Sequence, residues 1–243
     1  MKEKLLVLAK AAPEASKKYE ELVCVAGITD KGEWRRIYPI PWDVFWKTND
    51  NKFKKKQWIE YELKDDKPSD HRKESRKIIP ESIVVLGDAS YAEIEQILNE
   101  KLTTLEELTN NKDVSLGVIK PKTIEDYIPI TNKQYEKILE MGKQTTLFGD
   151  KAYKLEPPEH KYQYIFTEED LKEHKILCED WESVMLYFNC KKNYSTLDEV
   201  HVKVKEKMLK VAQMARSYFI IGTHYRFNTN IIIGVIYPRK DDV

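Results

Sequence analysis

The sequence predicts an α+β fold, with small strand-rich barrels in the N-terminal part, a strand pair at the C-terminus, and helices between them. Three observations carry this prediction. Short β-branched apolar runs bounded by polar residues cluster at both ends of the 243-residue chain. The longer segments with helical spacing fall between those clusters. No GxGxxG, GxxxxGK[ST] or GxSxG motif occurs, which removes the usual signatures of a doubly wound sheet.

In chain order, Leu5 to Ala9 and Leu22 to Ile28 read as buried strands. Asp30-Lys31-Gly32 is a hairpin turn, with glycine supplying the positive φ that such turns need. Trp34 to Ile40 follows as a strand whose alternation places Trp34, Arg36 and Tyr38 on one face and Arg35 and Ile37 on the other. Trp42 to Trp46 reads as a short helical turn, and Gln57 to Leu63 as another strand. Lys64 to Lys77 is almost wholly polar and reads as a long exposed loop, followed by a strand over Ser82 to Gly87.

Ser90 to Leu108 keeps helical spacing, with Ser90 placed as the cap. Leu116 to Ile119 is a short strand, Asn132 to Met141 a helix stopped by Gly142, and Pro157-Pro158 a linker-like break. Tyr162 to Phe166 is a strand and Trp181 to Cys190 a helix. Thr196 to Ala215 alternates briefly like a strand but keeps helical spacing for longer, so helix is expected. Tyr218 to Thr223 and Ile231 to Tyr237 close the chain as strands. The expected organisation is a strand-rich basic and aromatic module over 1–88, a helical and mixed connecting region over 89–158, and an α+β module over 159–243.

Charge cancels overall at 41 Lys/Arg against 41 Asp/Glu, yet it is segregated. Lys31 to Lys77 holds fourteen basic against nine acidic residues, whereas Glu81 to Asp113 holds two against eight. The heavy use of Lys and Glu fits an ion-paired thermophile surface, and an AT-rich genome would give a similar Lys-heavy composition. The opening apolar run is too short for a signal peptide or a span, and three cysteines do not make a secreted disulfide framework. A soluble cytoplasmic protein without a membrane partner is expected.

Four constellations have the chemistry for a site. The first mixes flat rings with phosphate-seeking charges: Trp34, Arg35, Arg36, Tyr38, Lys54, Lys55 and Lys56, supplemented by Trp42, Trp46, Trp58 and Tyr61. Single-strand binders stack bases on such rings while Lys and Arg track the backbone, and small oligonucleotide-binding (OB-like) barrels present these groups on adjacent strands. The bland alternative is that these aromatics fill the core. The second is His174-x-x-x-Cys178-x-Asp180-Trp181-Glu182, which on a helix face would suit Zn²⁺ with Cys190 or His160, or Mg²⁺ through Asp180 and Glu182. Its bland alternative makes Asp180 a helix N-cap. No cofactor is certain.

Third, Arg72 with His71 and Arg76 in the polar loop would suit a phosphate or carboxylate. Fourth, His224 and Arg226 stand where an apolar strand enters a polar loop, a common place for an acid/base or a phosphate contact.

The opening residues around Cys24-Val25-Ala26-Gly27-Ile28, Trp34-Arg35-Arg36 and Tyr38-Pro39 resemble uncharacterised archaeal and bacterial proteins with a dual OB-fold-like (DuOB-type) domain. The resemblance covers about the first 65 residues. It implies two small barrels and nucleic-acid binding, with no catalytic residue to carry over. The expected function is therefore a barrel-type protein binding single-stranded or structured RNA or DNA. A metal-dependent nuclease or nucleotide-processing enzyme using His174, Asp180, Glu182 and His224 is the first alternative, and a scaffold subunit the second. Oligomeric state and metal requirement stay open.

Overall fold

A computed structural model describes residues 1–13, 22–41, 52–111, 113–143, 157–224, 229–238 and 242. The expected helical turn at Trp42 to Trp46 and the candidate Arg226 lie outside the described residues.

The first five strands close into one barrel: β1 (Lys2–Lys10), β2 (Leu22–Thr29), β3 (Trp34–Pro41), β4 (Gln57–Pro68) and β5 (Ser75–Asp88), in the order β1-β2-β3-β5-β4. β1 pairs antiparallel with both β2 and β4, and β3 pairs parallel with β5 through Arg36↔Ser75 and Ile37↔Arg76. The barrel is OB-like. Its interior is filled by Leu5, Val7, Val23, Val25, Ile37, Ile59, Tyr61 and their neighbours, the inward half of each alternation.

Lys64 to Lys77 is not one long loop. β4 runs to Pro68 and β5 starts at Ser75, so only residues 69–74 lie outside the two strands. This ladder extends past the core, where neither face meets apolar neighbours, so its strands carry no hydrophobic alternation.

Ser90 caps α1 (Tyr91–Asn99) as expected, but the helix does not continue to Leu108. Thr104 and Glu107 form a capping box that starts a separate α2 (Leu105–Asn110). Next come β6 (Leu116–Ile119), β7 (Thr123–Thr131) and α3 (Tyr135–Lys143); α3 runs through Gly142 instead of stopping before it. Then follow β8 (His160–Thr167), β9 (Glu173–Cys178), α4 (Trp181–Asn193), α5 (Leu197–Ala212), β10 (Tyr218–Thr223) and β11 (Asn230–Ile236). Thr196 and Glu199 cap α5 in a second capping box.

The later strands form a six-stranded sheet ordered β6-β10-β11-β9-β8-β7, so the region 89–158 supplies both its edges. Among the described residues there is one closed barrel and one six-stranded sheet. β7 carries Pro129 in mid-strand, which an edge position tolerates. One face of the sheet packs on helices through Tyr127, Tyr164, Phe166, Phe219, Val204 and Met208. The other packs on the outside of the barrel: Leu116, Val118, Tyr218, Ile220 and Ile233 meet Leu6, Leu8, Ala26 and Ile28. Among the described residues, no helix is long and apolar enough to cross a membrane.

The seam is tight. A Cβ on Gly234 would stand 2.8 Å from the Leu8 carbonyl oxygen and 3.0 Å from the Ala9 Cβ. Gly32 differs: it has φ +76, and a Cβ added there would meet nothing within 4 Å. Gly234→Ala is expected to lower the melting temperature more than Gly32→Ala, whose cost is the left-handed backbone alone, about 1 kcal/mol. Paired thermal denaturation curves decide this; a larger loss at Gly32 would refute the close-approach account.

Candidate functional site

Three polar clusters and one open groove lie along the barrel and its seam with the sheet. The outward face of β3 carries Arg36 into that seam, where burial requires counter-groups. Its Nη1 donates to the Cys24 Sγ at 3.3 Å, and its Nη2 to the Ser115 hydroxyl at 3.0 Å and carbonyl at 3.1 Å. Glu74 Oε1 lies 3.8 Å from its Nε and accepts a hydrogen bond from the Ser115 hydroxyl. Beside it, Arg72 grips Asp70 through Nε at 3.1 Å and Nη2 at 2.5 Å, and its Nη1 reaches the Thr223 carbonyl at 3.4 Å. Burial alone would raise the Asp70 pKa; the Arg72 hydrogen bonds and charge outweigh it and hold the carboxyl below its usual range.

Arg35 points into the barrel. It holds Glu3 in a two-pronged grip at 2.8 and 2.6 Å, while the Tyr61 hydroxyl donates to the same carboxylate at 2.6 Å. The three close one end of the barrel.

Near Trp181, which packs into the barrel core, Lys55 Nζ meets Asp180 Oδ2 at 2.7 Å, Glu182 Oε2 at 2.9 Å and the Val235 carbonyl at 3.1 Å. Asp180 also accepts from the main-chain N–H of Glu182 at 3.0 Å and of Val235 at 2.7 Å. Burial opposes charge on Lys55, but the two carboxylates prevail and raise its pKa. Asp180 thus caps α4 and ties the barrel to β11 at once. Close by, Lys10 donates to the Phe53 carbonyl at 2.9 Å. Burial pushes its pKa down to about 7, Glu182 opposes that shift, and Lys52 and Lys55 reinforce it. Lys56 donates to the Tyr237 carbonyl and lies over the Tyr91 and Tyr237 rings at 5.3 and 4.9 Å.

The expected basic surface is therefore largely interior: Arg35, Arg36, Lys55, Lys56 and Arg72 are all buried. For Arg35 and Arg36 the reason is that a guanidinium on an otherwise apolar strand face goes where that face goes. Trp34 and Tyr38 are half-buried, and Lys54 is exposed.

Of the expected catalytic set, Asp180 and Glu182 meet at Lys55, and His174 does not join them. His174 lies on β9, not on a helix, with Nε2 3.1 Å from Glu168 Oε2. Four strand steps separate it from Cys178 by about 13 Å, too far to share a metal. His224 follows β10, and its main-chain N–H donates to the Thr229 carbonyl. Among the described residues, no group of three or more His, Cys, Asp or Glu is placed to hold a metal ion. Sequence reasoning missed the partners Glu3, Ser115 and Glu168. The available signal was an arginine within an apolar alternation, which requires a buried counter-group.

A groove of about 320 Å³ opens at the seam's rim, lined among others by Trp34, Lys73, Glu74, Arg76, Asp113 and Ser115. Lys73 and Asp113 pair across it at 3.0 Å, both well exposed, so the pair is weak and opens readily.

Two outcomes follow from the buried charges. Lys55→Met leaves Asp180 without its cation, and is expected to cost about 3–5 kcal/mol in urea denaturation; a loss under 1 kcal/mol would sink the assignment. Lys10 favours its neutral form when folded, while the unfolded chain stays protonated up to about pH 10. Its contribution to stability therefore rises with pH from about 7 to about 10 and is least favourable below 7. Lys10→Met should flatten that rise, read from denaturation curves at pH 6 and pH 9; an unchanged difference would contradict it.

No curated protein matches the chain. Residues 1–102 match a family model described as Domain of unknown function (DUF8758), which spans the barrel and α1. Residues 99–243 match another described as Domain of unknown function (DUF8757), which spans the sheet and its helices, more than half of the 243 residues. The chain therefore belongs to the family described as Domain of unknown function (DUF8757).

Proposed function

We propose that the chain binds single-stranded nucleic acid at the seam groove, with Trp34 as the stacking platform. The observation that carries this reading is Trp34 itself, half-buried on an open groove beside Lys73 and Arg76. OB-like barrels bind oligonucleotides on the face of their second and third strands and on the loop between the last two. Most of that face is covered here by the sheet, because Ala26 and Ile28 pack against it and Arg36 is pinned to Ser115. The uncovered remainder is its rim, where Trp34 meets the loop 69–74.

A volume of about 320 Å³ is at the small end of ligand pockets, about 300–1,000 Å³, and suits one flipped-out base with its sugar. The adjoining β4–β5 ladder presents Lys64, Lys67 and Lys77 to solvent, against Asp65 and Asp66, as a track for neighbouring phosphates.

Titration with single-stranded RNA and DNA oligonucleotides at low salt should quench tryptophan fluorescence, with duplex binding weaker. Trp34→Ala removes one stack and should weaken binding by about 1–3 kcal/mol, roughly tenfold or more. Lys73→Glu should weaken it further and flatten the salt dependence. No binding at low salt, or unchanged affinity in Trp34→Ala, would reject the proposal.

A further inference from the structure

Deeper in the seam than the groove stands a thiol with an unusual neighbour. The chain has three free cysteines among its described residues, and their surroundings differ in kind. Cys178 is buried in the sheet, where burial pushes its thiol up to about 12. Cys190 is buried under α5, and burial raises its pKa too. Cys24 is half-buried on the outward face of β2, where the β2–β3 register shifts between Val23 and Val25.

Arg36 is aimed at that sulfur. It is 3% exposed, its Nη1 donates to Sγ at 3.3 Å, and its Nε makes no hydrogen bond among the described residues. Arg72 is close enough to couple electrostatically with the same thiol. Asp70 and Glu74 balance the two cations, but neither has a hydrogen bond to Cys24 among those of the described residues: Asp70 grips Arg72, and Glu74 accepts from Ser115. A partly exposed sulfur beside fixed guanidinium groups is the environment in which a cysteine acts as a nucleophile.

We propose that Cys24 is a peroxide-reactive modification site whose oxidised form is held by Arg36. The thiolate sulfur attacks one oxygen of a hydroperoxide, forming the S–O bond as the O–O bond breaks. The leaving oxygen takes a proton from solvent and departs as water or an alcohol. Sulfur loses two electrons and the peroxide gains them. The new sulfenic-acid oxygen takes the place of sulfur as acceptor for Arg36 Nη1. Ser115 joins this site to the groove above it, since it both anchors Arg36 and lines the groove. The proposal does not depend on nucleic-acid binding.

The intact chain is treated with dilute hydrogen peroxide in the presence of dimedone, and adducts are mapped by peptide mass spectrometry. Cys24 should be labelled about tenfold or more faster than Cys178 and Cys190. Arg36→Gln should slow Cys24 labelling by about tenfold while leaving the other two unchanged. If that variant does not fold, the ranking of the three cysteines in the unaltered chain still decides the matter. Equal or slower labelling of Cys24, or a folded Arg36→Gln that labels at the original rate, overturns the proposal.

Discussion

Burying the outer face of the barrel against a second sheet is the constraint on which everything else in this fold rests. Apolar side chains of β1 and β2 pack on β6, β10 and β11, and the charged residues that share or adjoin those strands are desolvated along with them. Each buried charge then needs a partner, because an isolated ion in a low-dielectric interior costs several kcal/mol. Arg36 finds Ser115 and Cys24, and Lys55 finds Asp180 and the Val235 carbonyl. Ser115, Asp180 and Val235 come from the later half of the chain or its border, so these pairs also set how barrel and sheet are seated.

Asp180 shows how much one carboxylate can settle. One oxygen accepts the first-turn N–H of α4; the other accepts from Val235 on β11 and from Lys55 of the barrel. Helix start, sheet and barrel meet within hydrogen-bond distance of a single side chain. Its neighbour Trp181 then enters the barrel core, so the helix that Asp180 begins also seals the barrel. These roles occupy both oxygens of the carboxylate, so the acidic, aromatic signature here is part of the architecture.

The same constraint relocates the chemistry. With most of the β2–β3 face covered, what remains accessible is the seam's rim at Trp34, Lys73 and Arg76, together with the half-buried thiol at Cys24. Ser115, whose neighbours on β6 are otherwise apolar, lines the groove. Arg36 links the thiol to the serine that lines the groove.

Local sequence was enough for the strand clusters, the OB-like barrel class, the apolar strands of the final hairpin and the Ser90 and Asp180 caps, because each depends on neighbours a few residues away. It also carried both capping boxes, Thr104 to Glu107 and Thr196 to Glu199, although the first is legible only when the break after Asn99 is allowed. The ladder beyond Leu63 was hidden because a strand that outruns the core has no apolar face, and β7 because its Pro129 is acceptable only at an edge. Which charges face solvent was settled by tertiary packing alone. Arg35 and Arg36 are adjacent and chemically identical, yet one closes the barrel on Glu3 and the other crosses the seam to Ser115. Strand alternation assigns them to opposite faces; what each face meets is set by packing between residues some 30 and 80 positions apart, which local sequence does not encode.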